Sequence, residues 1–339
     1  MIMRSTAPNI SKKFLNHPNT TPIYDLSTEN FVAREHTTPS RSGWILIDKP
    51  SGSTSFQMVK LVRKIYSIKK VGHAGTLDPL ATGVLPIALG EATKTIPYAV
   101  NTAKTYRFTI CWGEDRDTND SDGRIIARSK ERPSIRSIKA ALNDFTGNFE
   151  QVPPNFSAIK VNGQRAYKLA RADNPIKLKP RKVEVKKVRL LRILDGDHAE
   201  FSAQTGKGFY VRSLARDLGL KLGTFGHIVA LRRLQVGSFL EKDTILLDSL
   251  LALEHSREKF EMLLPAEKAL DDIPALSLSE NSANRLRCGQ SIPAPRGANW
   301  LGENITKANN LAYATIGGKL LAVVIFQDNY LKPVRVFNL

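Results

Sequence analysis

The sequence predicts an α+β fold followed by a small β-rich domain. Strand-like apolar runs alternate with segments of helical period through most of the chain, which is typical of helices packed on a sheet. Near the end, strand-like runs at 312–316 and 319–326 flank Gly317-Gly318, a pair that favours a hairpin turn. With 339 residues, the chain is long enough for one large domain with a full core and one smaller domain. We expect an extension at 1–41, a main domain at 42–272 and a small domain at 273–339.

The elements of the main domain follow from their patterns. The run from Trp44 predicts a strand that ends at Pro50, because proline cannot donate a hydrogen bond to a neighbouring strand. Ser55 stands where a helix N-cap is expected. The apolar residues that then recur at helical spacing are Phe56, Val59, Val62 and Tyr66. The same reasoning predicts strands near 84–90, 104–112, 183–194, 198–204 and 228–239, and helices near 134–145, 211–222, after Asp248 and at 280–287.

Residues 1–41 are rich in Ser, Thr, Asn and Pro and have no sustained period. Such a segment cannot bury enough apolar surface to offset the entropy of ordering. We therefore expect a poorly ordered extension that carries no chemistry.

The charge of the chain favours a polyanionic partner. Its formal net charge is +18 and its pI is near 9.9, and nucleic acid is the first candidate for such a partner. A general basic bias of the proteome would also produce part of this excess. Within 177–192, however, the only acid is Glu184, which predicts a basic ridge. Its basic residues are Lys177, Lys179, Arg181, Lys182, Lys186, Lys187, Arg189 and Arg192.

Other features argue against several classes of protein. The chain has no apolar run near the length that a bilayer requires, and it opens without a secretory signal. Cys111 and Cys288 are too few for a disulfide framework or a zinc cluster, and the histidines have no ligand spacing. The acidic loop 115–122 lacks the glycine and terminal glutamate of an EF-hand, so we expect a solvated turn. These observations favour a cytoplasmic protein without a metal site.

One loop stands out as a candidate site. The segment 72–83 holds a single carboxylate, Asp78, among glycines, threonines and Pro79. Gly75 and Gly83 can take backbone angles closed to other residues, and Pro79 keeps Asp78 out of the helical region. Such a rigid setting suits a carboxylate that acts as a nucleophile. An isolated Leu-Asp-Pro would more often be a turn in which the Asp caps the next element.

Five ordered segments carry a family resemblance. Together they resemble the motifs of the TruB-type tRNA pseudouridine-55 synthases, and the similarity extends over roughly residues 43–240. The segments are 43–55 (GWILIDKPSGSTS), 73–85 (HAGTLDPLATGVL), 104–106 (KTY), 151–160 (QVPPNFSAIK) and 208–219 (GFYVRSLARDLG). The resemblance implies the pseudouridine synthase fold, which has a central mixed, mostly antiparallel sheet flanked by helices, and a PUA-like C-terminal domain. It also implies isomerisation of the tRNA T-loop uridine without a cofactor or a metal.

The resemblance assigns roles to three catalytic residues. It makes Asp78 the essential aspartate, Tyr106 the aromatic that stacks on the target base, and Arg212 the ion-pair partner of Asp78. A nearby guanidinium favours the ionised carboxylate and fixes its orientation, which a lysine does less well.

The resemblance also assigns residues that bind the substrate. The target base is stacked inside the T-loop and must be flipped out, and His73 would push into the RNA. Tyr210 would help to hold the extruded base. Lys49 is expected to brace the site, whereas Lys160 and Arg165 could meet phosphates.

The expected partner is therefore the T-arm stem-loop of tRNA, bound by a monomer without an obligatory protein partner and without a membrane. A non-catalytic RNA-binding chaperone or assembly subunit on the same scaffold is the alternative. The presence of Asp78, Tyr106 and Arg212 argues against it, because a binder would be free to lose the aspartate.

Overall fold

The computed structural model describes residues 41–157, 159–161, 163–171, 178–294 and 310–339. All of the predicted extension except Arg41 lies outside these residues, as does Lys177 of the basic ridge. None of the helices in the described part is long and apolar enough to cross a membrane.

Strands and helices alternate along the described chain. The strands are β1 Gly43–Lys49, β2 Val71–His73, β3 Thr82–Leu89, β4 Lys104–Trp112, β5 Glu114–Arg116, β6 Ile125–Arg128, β7 Gly147–Gln151, β8 Lys160–Val161, β9 Gln164–Arg165, β10 Arg181–Ile193, β11 His198–Thr205, β12 Gly226–Val236, β13 Phe239–Leu240, β14 Ile245–Leu246, β15 Ala275–Ser277, β16 Ile292–Pro293, β17 Leu311–Ile316, β18 Lys319–Gln327 and β19 Tyr330–Val336. The helices are α1 Ser55–Tyr66, α2 Ile96–Asn101, α3 Ile135–Ala141, α4 Ala166–Arg171, α5 Val211–Lys221, α6 Leu247–Ala252 and α7 Glu280–Arg287.

A mixed sheet forms the centre of the main domain. Its strand order is β14-β1-β3-β12-β4-β11-β10-β7, with β2 and β13 paired at its side. The pairs β1–β14 and β3–β12 are parallel, and the other pairs of this sheet are antiparallel. The fold is therefore α+β with a mixed, mostly antiparallel sheet, as the sequence predicts.

Helices cover one face of this sheet and close the main core. Val62 and Ile65 of α1 and Leu214 of α5 are buried in one cluster with Phe108 and Phe201 of the sheet. The alternation predicted for β4 is confirmed, since Phe108, Ile110 and Trp112 all belong to this core. The same face of the sheet also carries the candidate site.

Helix α5 packs closely on β12, and a glycine makes this possible. A Cβ at Gly219 would stand 2.5 Å from the backbone nitrogen of Gly226, so only glycine fits there. This contact fixes the distance of α5 from the sheet and thereby the position of Arg212 near its start.

A second, five-stranded sheet of order β15-β17-β18-β19-β16 forms near the C-terminus. The hairpin at Gly317-Gly318 joins β17 to β18 as predicted, and α7 has the predicted bounds. Leu320, Val323 and Phe337 share a buried cluster with Trp44 of β1, so this sheet packs on the main domain. The exact division at residue 272 stays a prediction.

Two local predictions about α1 are wrong. The N-cap is Thr54 and not Ser55: the Thr54 side chain accepts a hydrogen bond from the Gln57 backbone, and the Gln57 side chain completes a capping box. Ser55 is instead the first helical residue, and its hydroxyl is used elsewhere. Phe56 does not join the apolar face, because it is 62% exposed and lies beneath the Lys60 ammonium, 4.9 Å from the ring centroid.

The strands that the sequence did not reveal are short, polar or interrupted by a proline. Strand β7 reads GNFEQ, which has no apolar alternation, and β19 contains Pro333. Both form because a neighbouring strand already presents its edge.

Candidate active site

The loop that carries Asp78 is fastened to the β1–α1 segment. The Ser55 hydroxyl accepts a hydrogen bond from the Leu77 backbone at 2.8 Å and donates one to its carbonyl at 2.9 Å. On the other side of Asp78, the Gly52 backbone donates to the Pro79 carbonyl at 2.9 Å. Both neighbours of Asp78 are thus fixed, which supplies the rigidity expected from the sequence.

Asp78 forms a bidentate ion pair with Arg212. Nε of Arg212 lies 2.9 Å from Oδ2 of Asp78, and Nη2 lies 3.1 Å from Oδ1. The Arg212 side chain is 5% exposed and the Asp78 side chain is 35% exposed. The guanidinium therefore orients the carboxylate from within the protein and leaves part of it open to a ligand.

Arg212 also holds two loops of the site together. Its Nη1 donates to the Thr118 carbonyl and its Nη2 to the Phe156 carbonyl, each at 2.9 Å. A planar guanidinium can make all of these contacts at once, which the ammonium of a lysine cannot.

The acidic loop contributes a second carboxylate, so the prediction of a solvated turn is wrong for Asp120. Asp120 is buried, and its Oδ2 lies 3.6 Å from Nε of Arg212. Burial raises the pKa of Asp120, and the neighbouring Asp78 raises it further, whereas the Thr118 hydroxyl and Arg212 lower it. Backbone pairing of Asn119 and Ser121 with Ile228 of β12 draws the loop inward.

Tyr106 lies in the same cleft, opposite a second buried arginine. The register of β4 and β12 pairs Tyr106 with Arg233, so both side chains stand on one face of the sheet. Arg233 is 1% exposed and donates to the Val84 carbonyl at 2.8 Å and to the Gly75 carbonyl at 3.0 Å. Burial lowers the pKa of Arg233, and its contacts with the Tyr106 hydroxyl and the charge of Asp78 oppose this shift.

Gly83 makes room for this arrangement. It has a φ of +97°, and a Cβ there would lie 2.2 Å from the Arg233 carbonyl oxygen. Glycine is therefore required both for the backbone angle and for the approach of β3 to β12.

Tyr210 precedes α5 and completes the wall of the cleft. Its backbone nitrogen donates to the Gln151 side chain at 2.9 Å, and its carbonyl accepts from the same amide at 3.1 Å. Burial raises the pKa of the Tyr210 phenol above its ordinary value. The cleft is lined by Asp78, Tyr106, Tyr210, Arg212, Leu231 and Arg233, among others.

Lys49 is fully buried and does not face the cleft. Its ammonium donates to the carbonyls of Pro50 (2.8 Å), Ser53 (2.6 Å) and Pro79 (3.2 Å). Burial lowers the pKa of Lys49 to about 8, while the charge of Asp78 opposes this shift. The position fits the bracing role and not direct contact with a substrate.

The remaining candidates lie around the cleft or outside the described side chains. His73 ends β2 and is half-buried, and burial followed by the charge of Arg233 lowers its pKa, so its ring is neutral at pH 7. Lys160 and Arg165 face each other in the β8–β9 pair, but their side chains lie outside the described part of the structure. Within the described residues, no group of three His, Cys, Asp or Glu could hold a metal ion.

Sequence reasoning missed Asp120 and Arg233. Asp120 carries no signal beyond its place in an acidic loop, and its burial depends on pairing with a distant strand. Arg233 had a weak signal, because an arginine opposite Tyr106 would follow from the register of two adjacent strands.

The fold has close counterparts among solved structures. A chain described as "Structure of H/ACA RNP bound to a substrate RNA containing 2'-deoxyuridine" superposes with a TM-score of 0.66 at 22% identity, covering 88% of this chain and 86% of that one. A chain from a Cbf5-Nop10-Gar1 complex gives the same TM-score at 24% identity over 87% of this chain and 85% of that one. These likenesses show that the chain has the pseudouridine synthase fold.

Sequence comparison identifies the family within this class. Residues 63–211 match the model of the TruB family pseudouridylate synthase N-terminal domain, and residues 212–271 match the tRNA pseudouridylate synthase B C-terminal domain. The chain is 49% identical to tRNA pseudouridine synthase B of Bradyrhizobium diazoefficiens over 88% of its length and 86% of that protein. It is 48% identical to tRNA pseudouridine synthase B of Rhodospirillum rubrum over 88% of this chain and 96% of that protein. The chain belongs to the tRNA pseudouridine synthase B family.

Proposed function

We propose that this protein is a tRNA pseudouridine synthase that isomerises uridine 55 of the T-loop. The observation that carries this proposal is a partly exposed carboxylate, Asp78, paired with the buried Arg212 in a cleft walled by two tyrosines. Family membership with relatives of this name supports the substrate.

The reaction changes the uracil atom through which the base is attached to the ribose. The bond between uracil N1 and ribose C1′ breaks, a bond between uracil C5 and C1′ forms, C5 loses a proton and N1 gains one. The reaction has no net oxidation and needs no added group. Attack on the ribose, attack on the ring and proton abstraction all require an ionised carboxylate, and the Arg212 guanidinium holds this carboxylate at two points.

The cleft has the groups that a flipped uridine requires. A base can stack on Tyr106 and meet the phenol of Tyr210, since both rings line the cleft beside Asp78. The His73 ring is neutral at pH 7. A neutral imidazole can enter a stack of bases without the desolvation cost that a charged ring would have. We assign Lys160 and Arg165 to phosphate contacts.

Arg233 acts in this reaction as a positioning residue. It contacts the Tyr106 hydroxyl on one side and holds the Gly75 carbonyl of the Asp78 loop on the other. A single rigid guanidinium thereby fixes the base-stacking ring relative to the carboxylate.

A binding protein without turnover is the second candidate. No feature of the cleft favours it, since a binder does not need a buried arginine aligned on a carboxylate at two points. We further propose that the protein acts as a monomer in the cytoplasm, where its tRNA substrate is found.

Tritium release tests the proposal. Purified protein is incubated with unmodified tRNA that carries tritium at uridine C5, because isomerisation at C5 releases it to water. We expect one equivalent released per tRNA, and none from a matched tRNA with cytidine at position 55. Tight binding without release would support the binding protein instead.

A further inference from the structure

A second bidentate ion pair lies behind the candidate site, on the opposite face of the central sheet. Nη1 of Arg232 lies 3.0 Å from Oδ1 of Asp48, and Nη2 lies 2.7 Å from Oδ2. Arg233 follows Arg232 in β12 and lines the cleft, so Arg232 points to the other face, because successive side chains of a strand alternate. Neither Arg232 nor Asp48 lines the cleft.

The pair joins two strands that are not neighbours. In the sheet order, β3 lies between β1, which carries Asp48, and β12, which carries Arg232. The contact therefore crosses β3 near its first residue, Thr82, whose hydroxyl accepts a hydrogen bond from Nη1 of Arg232 at 3.3 Å. The backbone register of β3 with β12 spans only two residue pairs, Arg232 with Thr82 and Arg233 with Gly83. The side-chain contact thus reinforces a short backbone attachment.

The two strands joined by this pair also hold the two sides of the Asp78 loop. From β1, Lys49 donates to the Pro79 carbonyl at 3.2 Å, one residue after Asp78. From β12, Arg233 donates to the Gly75 carbonyl at 3.0 Å, three residues before Asp78. A change in the separation of β1 and β12 would therefore move these two donors apart, and the carboxylate lies between the carbonyls that they hold.

We propose that Arg232 and Asp48 are positioning residues, whose ion pair sets the separation of β1 and β12 and thereby the placement of Asp78. The proposal rests on the proposed function, in that turnover depends on this placement. Two parallel hydrogen bonds fix the orientation of the paired groups as well as their distance. Displacement of a reacting group by about 1 Å is enough to lower a rate about a hundredfold.

Arg232 offers a matched control within its own contacts. Its Nε donates to Glu241, which follows β12 in the chain and is not part of β1. Asp48→Ala and Glu241→Ala therefore remove the same kind of group from the same guanidinium, but only Asp48→Ala disconnects β1 from β12. A loss caused by an unpaired charge on Arg232 would appear in both variants, whereas a loss of positioning would appear only in Asp48→Ala.

The first measurements are tritium release at saturating tRNA, tRNA affinity and urea unfolding. We expect Asp48→Ala to lower kcat at least about tenfold. Its tRNA affinity should stay at the wild-type value, because phosphate contacts dominate affinity and the pair lies on the face opposite the cleft. Glu241→Ala should keep the wild-type kcat. Arg232→Lys retains the charge without the planar fork, so its kcat should fall between the two, and it serves if Asp48→Ala fails to fold.

Hydrogen exchange of the loop is a readout that does not need turnover. The Leu77 amide donates to the Ser55 hydroxyl and the Ala81 amide donates to the Asp78 carbonyl, so both amides report opening of this loop. We expect both to exchange faster in the Asp48 variant than in the control. A uniform rise in exchange across the whole sheet would report a general loss of stability and would overturn the positioning role.

Equal kcat in Asp48→Ala and Glu241→Ala would also overturn the proposal, as would a wild-type kcat in Arg232→Lys. If the wild type released no tritium while the Asp78 loop still lost protection selectively in Asp48→Ala, the proposed catalytic function would fail. The placement of the loop by the ion pair would then stand.

Discussion

Replacing Arg212 with lysine separates charge from geometry at the candidate site. The substitution keeps a positive charge near Asp78 but removes the planar group that makes two bonds to the carboxylate and two to backbone carbonyls. A lysine in this position could keep one of the bonds to Asp78. The Thr118 and Phe156 carbonyls would then lose the donor that holds their loops.

The expected magnitude follows from these contacts. Hydrogen bonds to charged groups contribute about 1.5–3 kcal/mol each, and removal of one partner of a buried ion pair costs about 3–5 kcal/mol. Because the lysine keeps the charge, we expect the free energy of unfolding to fall by about 2–3 kcal/mol, which most folded domains survive. A carboxylate displaced by about 1 Å should lose about a hundredfold in rate.

The assay is tritium release from tRNA at saturating substrate, together with urea unfolding. Arg216→Lys is the matched control: Arg216 lies in the same helix, pairs with Asp217 at 2.8 Å and donates to the Val152 carbonyl, but it does not line the cleft. Wild-type turnover in Arg212→Lys, or an equal loss in the control, would refute the geometric role of the guanidinium.

Three further changes test the groups around this pair. Asp120→Asn should slow turnover, whereas Asp122→Asn, at an exposed neighbouring residue, should not. Equal turnover rates of the two variants would show that Asp120 has no role in the site. Arg233→Met should lower kcat more than Arg233→Lys does. Because the Arg233 and Tyr106 side chains are in contact, Arg233→Met should lower kcat by a smaller factor in a Tyr106→Phe background than in the wild type. Additive losses of activity in the double variant would contradict this coupling. In the wild type, Lys49 has a pKa of about 8 in the folded state and 10.5 in the unfolded state. Between pH 8 and 10.5 the unfolded state therefore binds more protons than the folded state. The free energy of unfolding should rise with pH in this range, by up to about 1.4 kcal/mol per pH unit. The free energy of unfolding of Lys49→Met, measured in urea from pH 8 to 10, should lack the part of this rise that comes from Lys49. The same dependence on pH in Lys49→Met and wild type would refute the prediction.

The sequence was most informative where a pattern is local. The period of two placed Phe108, Ile110 and Trp112 in the core, and the glycine pair placed the C-terminal hairpin. The rigid loop of Asp78 could be predicted because proline and glycine act on their own backbone.

The remainder depended on contacts between distant segments. Asp120 is buried only because its loop pairs with β12, and Ser55 is free to bind Leu77 only because Thr54 caps α1. Strand β7 formed without an apolar alternation because β10 offered an edge. Arg233 required the register of β4 against β12, which no single segment specifies.

The central claim is that an ionised Asp78 reacts with the nucleoside, and Asp78→Asn tests it most directly. The amide keeps the shape of the side chain and removes the charge, while phosphate contacts continue to dominate affinity. We predict no tritium release above background from uridine-labelled tRNA, with a tRNA Kd within a few-fold of wild type and full activity in Asp122→Asn. Tritium release by Asp78→Asn at a rate near that of wild type would contradict the account.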